Sequence, residues 1–333
     1  MTTEGGAFKP APVNGHEAQL AIQDLSRTLK ASTFTAAFQA RIPWPKCHTP
    51  TPEEVYTKLF DDNAPSNKAA EKAFSSLAYT DALLPISKHS LPSLPSLFPL
   101  LPSPSSPDFA VQATGLLLLL DQGPRSGCIK GLQNLWLVNH FDPLAQSLCG
   151  ELLALPYSQR IDNWERWRKL GWSFEHYAMA RNILYCPLAH SEGYTDQMLM
   201  LGLLEEFRRE LESHYEVVDA TRQHDLADAN DVTAFWRVAK AGPPGKVNEE
   251  SGKATGVAEC LFWESRMSRV HESIVRVFGR NPYLNFAKGR EDTEEEREFF
   301  GRTEGWSVPP EEFKEKCREA YRSGKWPPLL EKD

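Results

Sequence analysis

The sequence predicts an all-α protein. Three observations carry that expectation. Successive stretches repeat their apolar positions at helical spacing. No run of alternating β-branched residues competes with them. Five consecutive leucines, Leu116 to Leu120, suit a helix that is buried on every side. With 333 residues, a 41% hydrophobic share and nine tryptophans, the chain can enclose a sizeable core, as one large domain or two small ones.

Taken in order, residues 1–50 are rich in Gly, Pro and Thr and show little periodicity, which predicts a loosely ordered N-terminal arm with at most a short helix between 18 and 40. Thr51-Pro-Glu-Glu54 is a helix start: a capping hydroxyl, a proline at the first helical position, then acids at the positive end of the dipole. Helices are expected over about 52–62 and 67–83. Residues 85–107 form a Pro/Ser-rich insertion whose leucines recur every third residue. Too many backbone donors are missing for a helix, so an extended strap is expected, either a surface insertion or a lid over a pocket. The leucine helix begins at Asp108 and is expected to end at Gly123-Pro124.

Further helical segments are expected at 132–155, 162–169 and 172–185. Others follow at 197–215, 219–241, 255–278 and 310–321. Thr293 with Glu296 three residues on reads as a capping box. Ala241 to Gly252 is a loop. Helices joined by short links suit a stacked array of helical hairpins, although no clean sequence period is present. The expected division is an arm over 1–50, a helical domain over 51–302 and a C-terminal extension over 303–333.

Charge and composition exclude several classes. A net charge of −8 without a basic block argues against a nucleic-acid partner. No run of eighteen apolar residues is available to span a membrane. The first residues lack a basic start and an apolar core, so no signal peptide is expected. The six cysteines are scattered without a Cys-x-x-Cys pair, which fits reduced thiols in a cytoplasmic chain. No metal site is expected. His190, Glu192 and His271 are the conceivable ligands, but no His-x-x-x-His or Glu-x-x-His spacing supports them. No cofactor is expected, because no glycine-rich phosphate loop, Gly-x-Ser-x-Gly elbow or Cys/His dyad occurs.

Three motifs concentrate the polar chemistry. The first is Leu116-Leu-Leu-Leu-Leu-Asp-Gln-Gly-Pro-Arg-Ser126, which delivers Asp121 and Arg125 from a buried helix. The second is Tyr185-Cys-Pro-Leu-Ala-His-Ser-Glu192, with Arg181 before it and Gln197 after it. The third is Phe278-Gly-Arg-Asn-Pro-Tyr-Leu-Asn285, with His271 before it and Arg290 after it. In that order, and over roughly residues 50–302, they resemble the family catalogued as domain of unknown function 924. Its members usually read Leu-Leu-Leu-Asp-Gln-Phe-Pro-Arg-Asn, then Arg, Tyr-x-Pro and His-Ser-Glu with a later Gln, then Phe-Gly-Arg-Phe-Pro-His-Arg-Asn and Gly-Arg. The second motif matches completely. In the others Gly123, Ser126, Ser273, Asn281, Tyr283 and Leu284 depart from the family pattern. The resemblance implies a tetratricopeptide-like superhelix and assigns no reaction.

The residues admit two functional expectations. One is a cofactor-independent enzyme acting on a small, largely apolar molecule by cyclisation, isomerisation, dehydration or pericyclic closure. His190, Glu192, Asp121 and His271 would be catalytic, because imidazole and carboxylate groups are the usual acids and bases. Arg125, Arg181, Gln197, Arg280, Tyr283, Asn285 and Arg290 would bind the substrate, since guanidinium and amide groups recognise carboxylate and carbonyl oxygens. The other is a non-catalytic helical-repeat binding or scaffold protein, in which the same charges pair internally. The sequence does not fix the oligomeric state.

Overall fold

The computed structural model describes residues 15–247, 252 and 254–330. The expectations for the first residues, and for most of the 241–252 loop beyond Val247, lie outside the described residues. The described chain is all-α, with only an isolated antiparallel bridge between Val247 and Ala254. No described helix is long and apolar enough to cross a membrane.

The helices follow the periodicity closely. α1 spans Gly15–Thr28, α2 Ala31–Arg41, α3 Pro52–Phe60 and α4 Pro65–Leu77. α5 is Phe109–Leu117 and α6 Asp142–Leu153. α7 is Trp164–Lys169, α8 Phe174–Ala189 and α9 Tyr194–Tyr215. α10 is Asp225–Ala229 and α11 Ala234–Ala241. α12 is Val257–Arg269, α13 His271–Phe278, α14 Glu294–Arg302 and α15 Glu311–Ser323. The predicted capping box of Thr293 with Glu296 forms on α14, and Thr51, expected as the cap of α3, closes a second box with Glu54.

Three expectations need correction. The stretch read as a loose arm supplies α1 and α2. Phe34, Ala37 and Phe38 of α2 are buried, and α2 lies so close to α5 that a Cβ added at Gly115 would stand 1.9 Å from the Phe34 carbonyl oxygen. Phe34 and Phe38 recur at i, i+4, but the threonines and alanines around them mask the stripe. Second, the leucine helix does not stop at Gly123-Pro124. It widens into π turns over Leu118–Gln122 and Pro124–Cys128, and Gly127 at φ 77° ends it. The Gly123 N–H reaches back five residues to Leu118, so the chain is already wound loosely where proline would otherwise strain a helix. Third, the single helix expected over 219–241 is broken into a 3₁₀ turn, α10 and α11.

The Pro/Ser stretch is not extended throughout: it winds into short 3₁₀ turns at Leu91–Ser93 and Phe98–Leu100. Leu94, Leu97 and Leu101 are buried, and Ser96 donates to Glu151 of α6 at 2.8 Å. None of its residues lines the cavity described below. The C-terminal extension is tied down by Trp136, which donates to the Pro327 carbonyl at 2.8 Å and packs edge-on against Trp326.

Candidate functional site

The leucine helix brings Asp121 into the core with only 1% of its side chain exposed. Burial alone would raise its carboxyl. The attraction of His190 and Arg125, with hydrogen bonds from His190 and Gln122, outweighs burial and holds it at about 2. The geometry is specific. His190 Nδ1 lies 2.7 Å from Asp121 Oδ1, and Gln122 Nε2 donates to Oδ2 at 2.5 Å. Arg125 donates to the Asp121 carbonyl at 2.7 Å and grips Asp142 through two bonds of 2.8 and 3.1 Å. A carboxylate on Nδ1 fixes the His190 ring and leaves Nε2 as its working nitrogen. Among the described residues Nε2 makes no hydrogen bond, and the side chain is 22% exposed.

His271 stands near this pair, its ring centroid 6.1 Å from that of His190. Its Nδ1 donates to the Met267 carbonyl at 2.8 Å. Burial first, then the charges of His190 and Arg125, lower it to about 4 against the pull of the Met267 and Ser268 carbonyls. At neutral pH His271 is therefore an uncharged acceptor through Nε2.

Gln122 links the pair to a cavity of about 260 Å³. Its apolar wall comes from Leu59, Leu118, Met179, Ile183 and Leu261. Its polar groups are Arg41, Lys58, Gln122, Asn182, Cys186 and Glu264. Glu264 is the unusual member. Among the described residues its carboxylate has neither a hydrogen bond nor an ion pair, and burial pushes it up to about 7. The Asn182 amide oxygen is buried without a partner. The Cys186 thiol is pushed well above its usual value, by burial first and then by Asp121 and Glu264, so it is no thiolate nucleophile at neutral pH. Lys58 is lowered to about 8 by burial and by Arg41.

Of the residues predicted from sequence, Asp121, Arg125, His190 and His271 come together. The others do not join them. Glu192 accepts from Arg290 at 2.6 Å and from the Asn281 N–H at 2.9 Å, and lies 3.0 Å from Lys288. It pins the third motif to the α8–α9 junction. Glu192 precedes α9, whose cap residue is Gly193. Gln197 donates to three carbonyls, Leu188, Ala189 and Ser191, that end α8. Arg181 is held by Tyr177, Tyr185 and Glu210. Arg280 forms a fork with Glu296, and Asn285 bridges Asp292 and Glu296. Tyr283 packs among Phe299, Phe300 and Trp306.

Residues 60–304 match the family model described as a bacterial protein of unknown function, domain of unknown function 924. The chain belongs to this family. No curated protein and no solved structure matches it. In this member of the family the Asp-Gln-x-Pro-Arg signature builds the Asp121–Gln122–Arg125 cluster, and the Tyr-x-Pro…His-Ser-Glu signature delivers His190 to it. The cavity groups Lys58, Asn182 and Glu264 fall outside the three motifs, and sequence reasoning missed them. Glu264 had a legible signal. Val257, Cys260, Leu261 and Ser268, at i−7, i−4, i−3 and i+4 from it, are all buried, so it sits on the inward stripe of α12.

Among the described residues no group of three or more His, Cys, Asp or Glu side chains is arranged to hold a metal ion. A larger cavity of about 450 Å³ between Asp219 and Arg266 is lined by none of the motif residues.

Proposed function

We propose that this protein is an acid/base enzyme whose own side chains move a proton on a small, largely apolar organic molecule held in the Glu264 cavity. The observation that carries the reading is the unpaired, partly buried Glu264 carboxyl, raised toward neutrality beside the cavity. Such a group is costly to fold around and has no internal partner to explain it. Ionised, it takes a proton from carbon. The adjoining Asn182 and Gln122 amides offer donors to the oxygen on which charge develops. Return of the proton to a second carbon completes an isomerisation, and its transfer to a leaving hydroxyl completes a dehydration. His190, held by Asp121, is the second candidate acid/base, reached through Gln122.

The test surveys many candidate substrates at once. The protein is incubated in D₂O with a library of small organic compounds, and each compound is read by mass spectrometry for deuterium gained at carbon. Exchange is expected for a narrow set of compounds with wild type and at least about a hundredfold more slowly with Glu264→Gln, given the usual contribution of a positioned acid/base. Undiminished exchange in Glu264→Gln would sink the assignment. A second reading, a non-catalytic tetratricopeptide-like binding or scaffold protein, is favoured by the internal pairing of Arg181, Glu192, Arg280 and Arg290. Compounds that bind without any exchange would support it instead.

Glu264 also predicts a stability signature. Its carboxyl is raised from 4.5 to about 7, so between those values the unfolded chain has released a proton that the folded chain retains. Its contribution is therefore fully present below 4.5 and is lost as pH rises through 7. Relative to wild type, Glu264→Gln should gain stability by roughly 3 kcal/mol across that window. Chemical denaturation of both proteins at pH 4.5 and 8 checks this. Parallel pH profiles would mean that the carboxyl is not confined as described.

A further inference from the structure

The cavity carries a second unmatched group at its opposite chemical pole. Lys58, on α3, donates to the Ala40 carbonyl at 2.9 Å, and among the described residues no carboxylate lies within ion-pair reach of its ammonium. Its neighbour Arg41 is already engaged. Arg41 pairs with Glu71 at 2.5 Å and its guanidinium lies 4.2 Å from the centre of the Phe74 ring. Arg125, a little farther along the same cleft, is consumed by Asp142. Of the two cations that line the cavity itself, Lys58 is therefore the one without an ion pair, half-buried, with Arg41 beside it adding positive potential, while Lys68 and Lys72 stand exposed on the adjoining cleft outside the cavity lining. The space it faces is shared with the apolar residues Leu59, Leu118, Met179, Ile183 and Leu261.

We infer that Lys58 is the anchor for the carboxylate of a small monocarboxylic acid, whose apolar body occupies the wall of the cavity and extends toward Glu264. This rests on the acid/base reading and deepens it by naming the substrate class. One uncommitted ammonium matches one negative charge. A phosphate dianion would want a second free cation or a nest of backbone donors, and the other cation lining the cavity, Arg41, is already paired with Glu71. The arrangement also explains why two titratable groups of opposite type stand in one small space without pairing. Burial moves both groups toward neutrality, and a ligand carboxylate on Lys58 would favour its ammonium form. A ligand so oriented places its carboxylate at α3 and its carbon skeleton across the cavity. The proton that Glu264 would take is then set by chain length.

The experiment measures binding of a graded series, propionate, phenylacetate and cinnamate, beside their primary amides and inorganic phosphate. The proteins are wild type, Lys58→Met and Glu264→Gln, read by calorimetry. Wild type is expected to prefer at least one carboxylate over its amide by about tenfold or more. Lys58→Met should lose about ten- to hundredfold of that carboxylate affinity, the worth of a charge-assisted hydrogen bond, and keep its weak amide binding. Affinity should fall as pH rises above 8, as the amine loses its proton. Glu264→Gln should retain the carboxylate preference, which separates this inference from the acid/base reading. Deuterium exchange without any carboxylate preference would leave that reading standing and overturn this one.

A variant-free readout covers poor folding of Lys58→Met. The best carboxylate should protect Lys58 from acetic anhydride, seen by peptide mass spectrometry, with exposed lysines such as Lys316 unprotected. Equal binding by amides, equal or tighter binding by phosphate, absence of binding across the series, or unprotected Lys58 would each overturn the proposal.

Discussion

Gly115→Ala is expected to destabilise the protein by about 3 kcal/mol or more, at or beyond the upper end of ordinary overpacking. The reason is what its methyl group would meet. The added Cβ would stand 1.9 Å from the Phe34 carbonyl oxygen and 2.6 Å from its carbon. Both are backbone atoms in the middle of α2, so no rotamer change relieves the contact. α2 must move off α5, and Phe34, Ala37 and Phe38 would lose their packing on the leucine helix. Alanine normally favours a helix over glycine by about 1 kcal/mol, which makes the sign diagnostic. Thermal or urea unfolding of the single variant checks it. A stabilised Gly115→Ala would show that the two helices are not in backbone contact.

That contact also shows where sequence reasoning runs out. The leucine helix was legible because five identical apolar residues admit only one environment. The cap at Thr51 and the capping box at Thr293 were legible because their chemistry is local. α2 was not, because its burial depends on a glycine far along the chain that lets a poorly patterned helix dock. The same distinction runs through the site. Asp121, Arg125 and His190 were legible as costly charges in apolar surroundings that had to be answered. Whether each was answered internally was not, because partners such as Glu210 for Arg181 and Asp142 for Arg125 lie on other helices. Lys58 and Glu264 were invisible for a related reason. Each looks like an ordinary helix charge, and only the packing of α3, α8 and α12 together reveals that neither has a counter-ion.

Arg125→Met is expected to cost about 3–5 kcal/mol, the usual penalty for removing one member of a buried ion pair. Arg125 holds Asp142 with two short bonds and lies 3.6 Å from Asp121 Oδ1. Asp142 is 4% exposed, and Arg125 is its partner among the described residues. Removing the guanidinium strands that carboxylate in the core and leaves Asp121 to His190 and Gln122. The deficit should therefore trace mainly to that orphaned charge. It should also be partly repaired by a second change. Arg125→Met with Asp142→Asn removes the orphaned charge and should be more stable than Arg125→Met by about 1–3 kcal/mol, a coupling visible in a double-mutant cycle. Equal stability of single and double variants would mean that Arg125 acts through packing, not charge. The distinction bears on the chemistry. If the strut is electrostatic, the Asp-Gln-x-Pro-Arg signature exists to keep Asp121 ionised and fixed beneath His190, and the π-wound turn carrying both residues positions the dyad. In that case Arg125→Met should also release the His190 ring, read as increased imidazole mobility by NMR relaxation. Glu264 lies on α12, outside that strut, so the deuterium exchange proposed for it should decline only as far as the fold does.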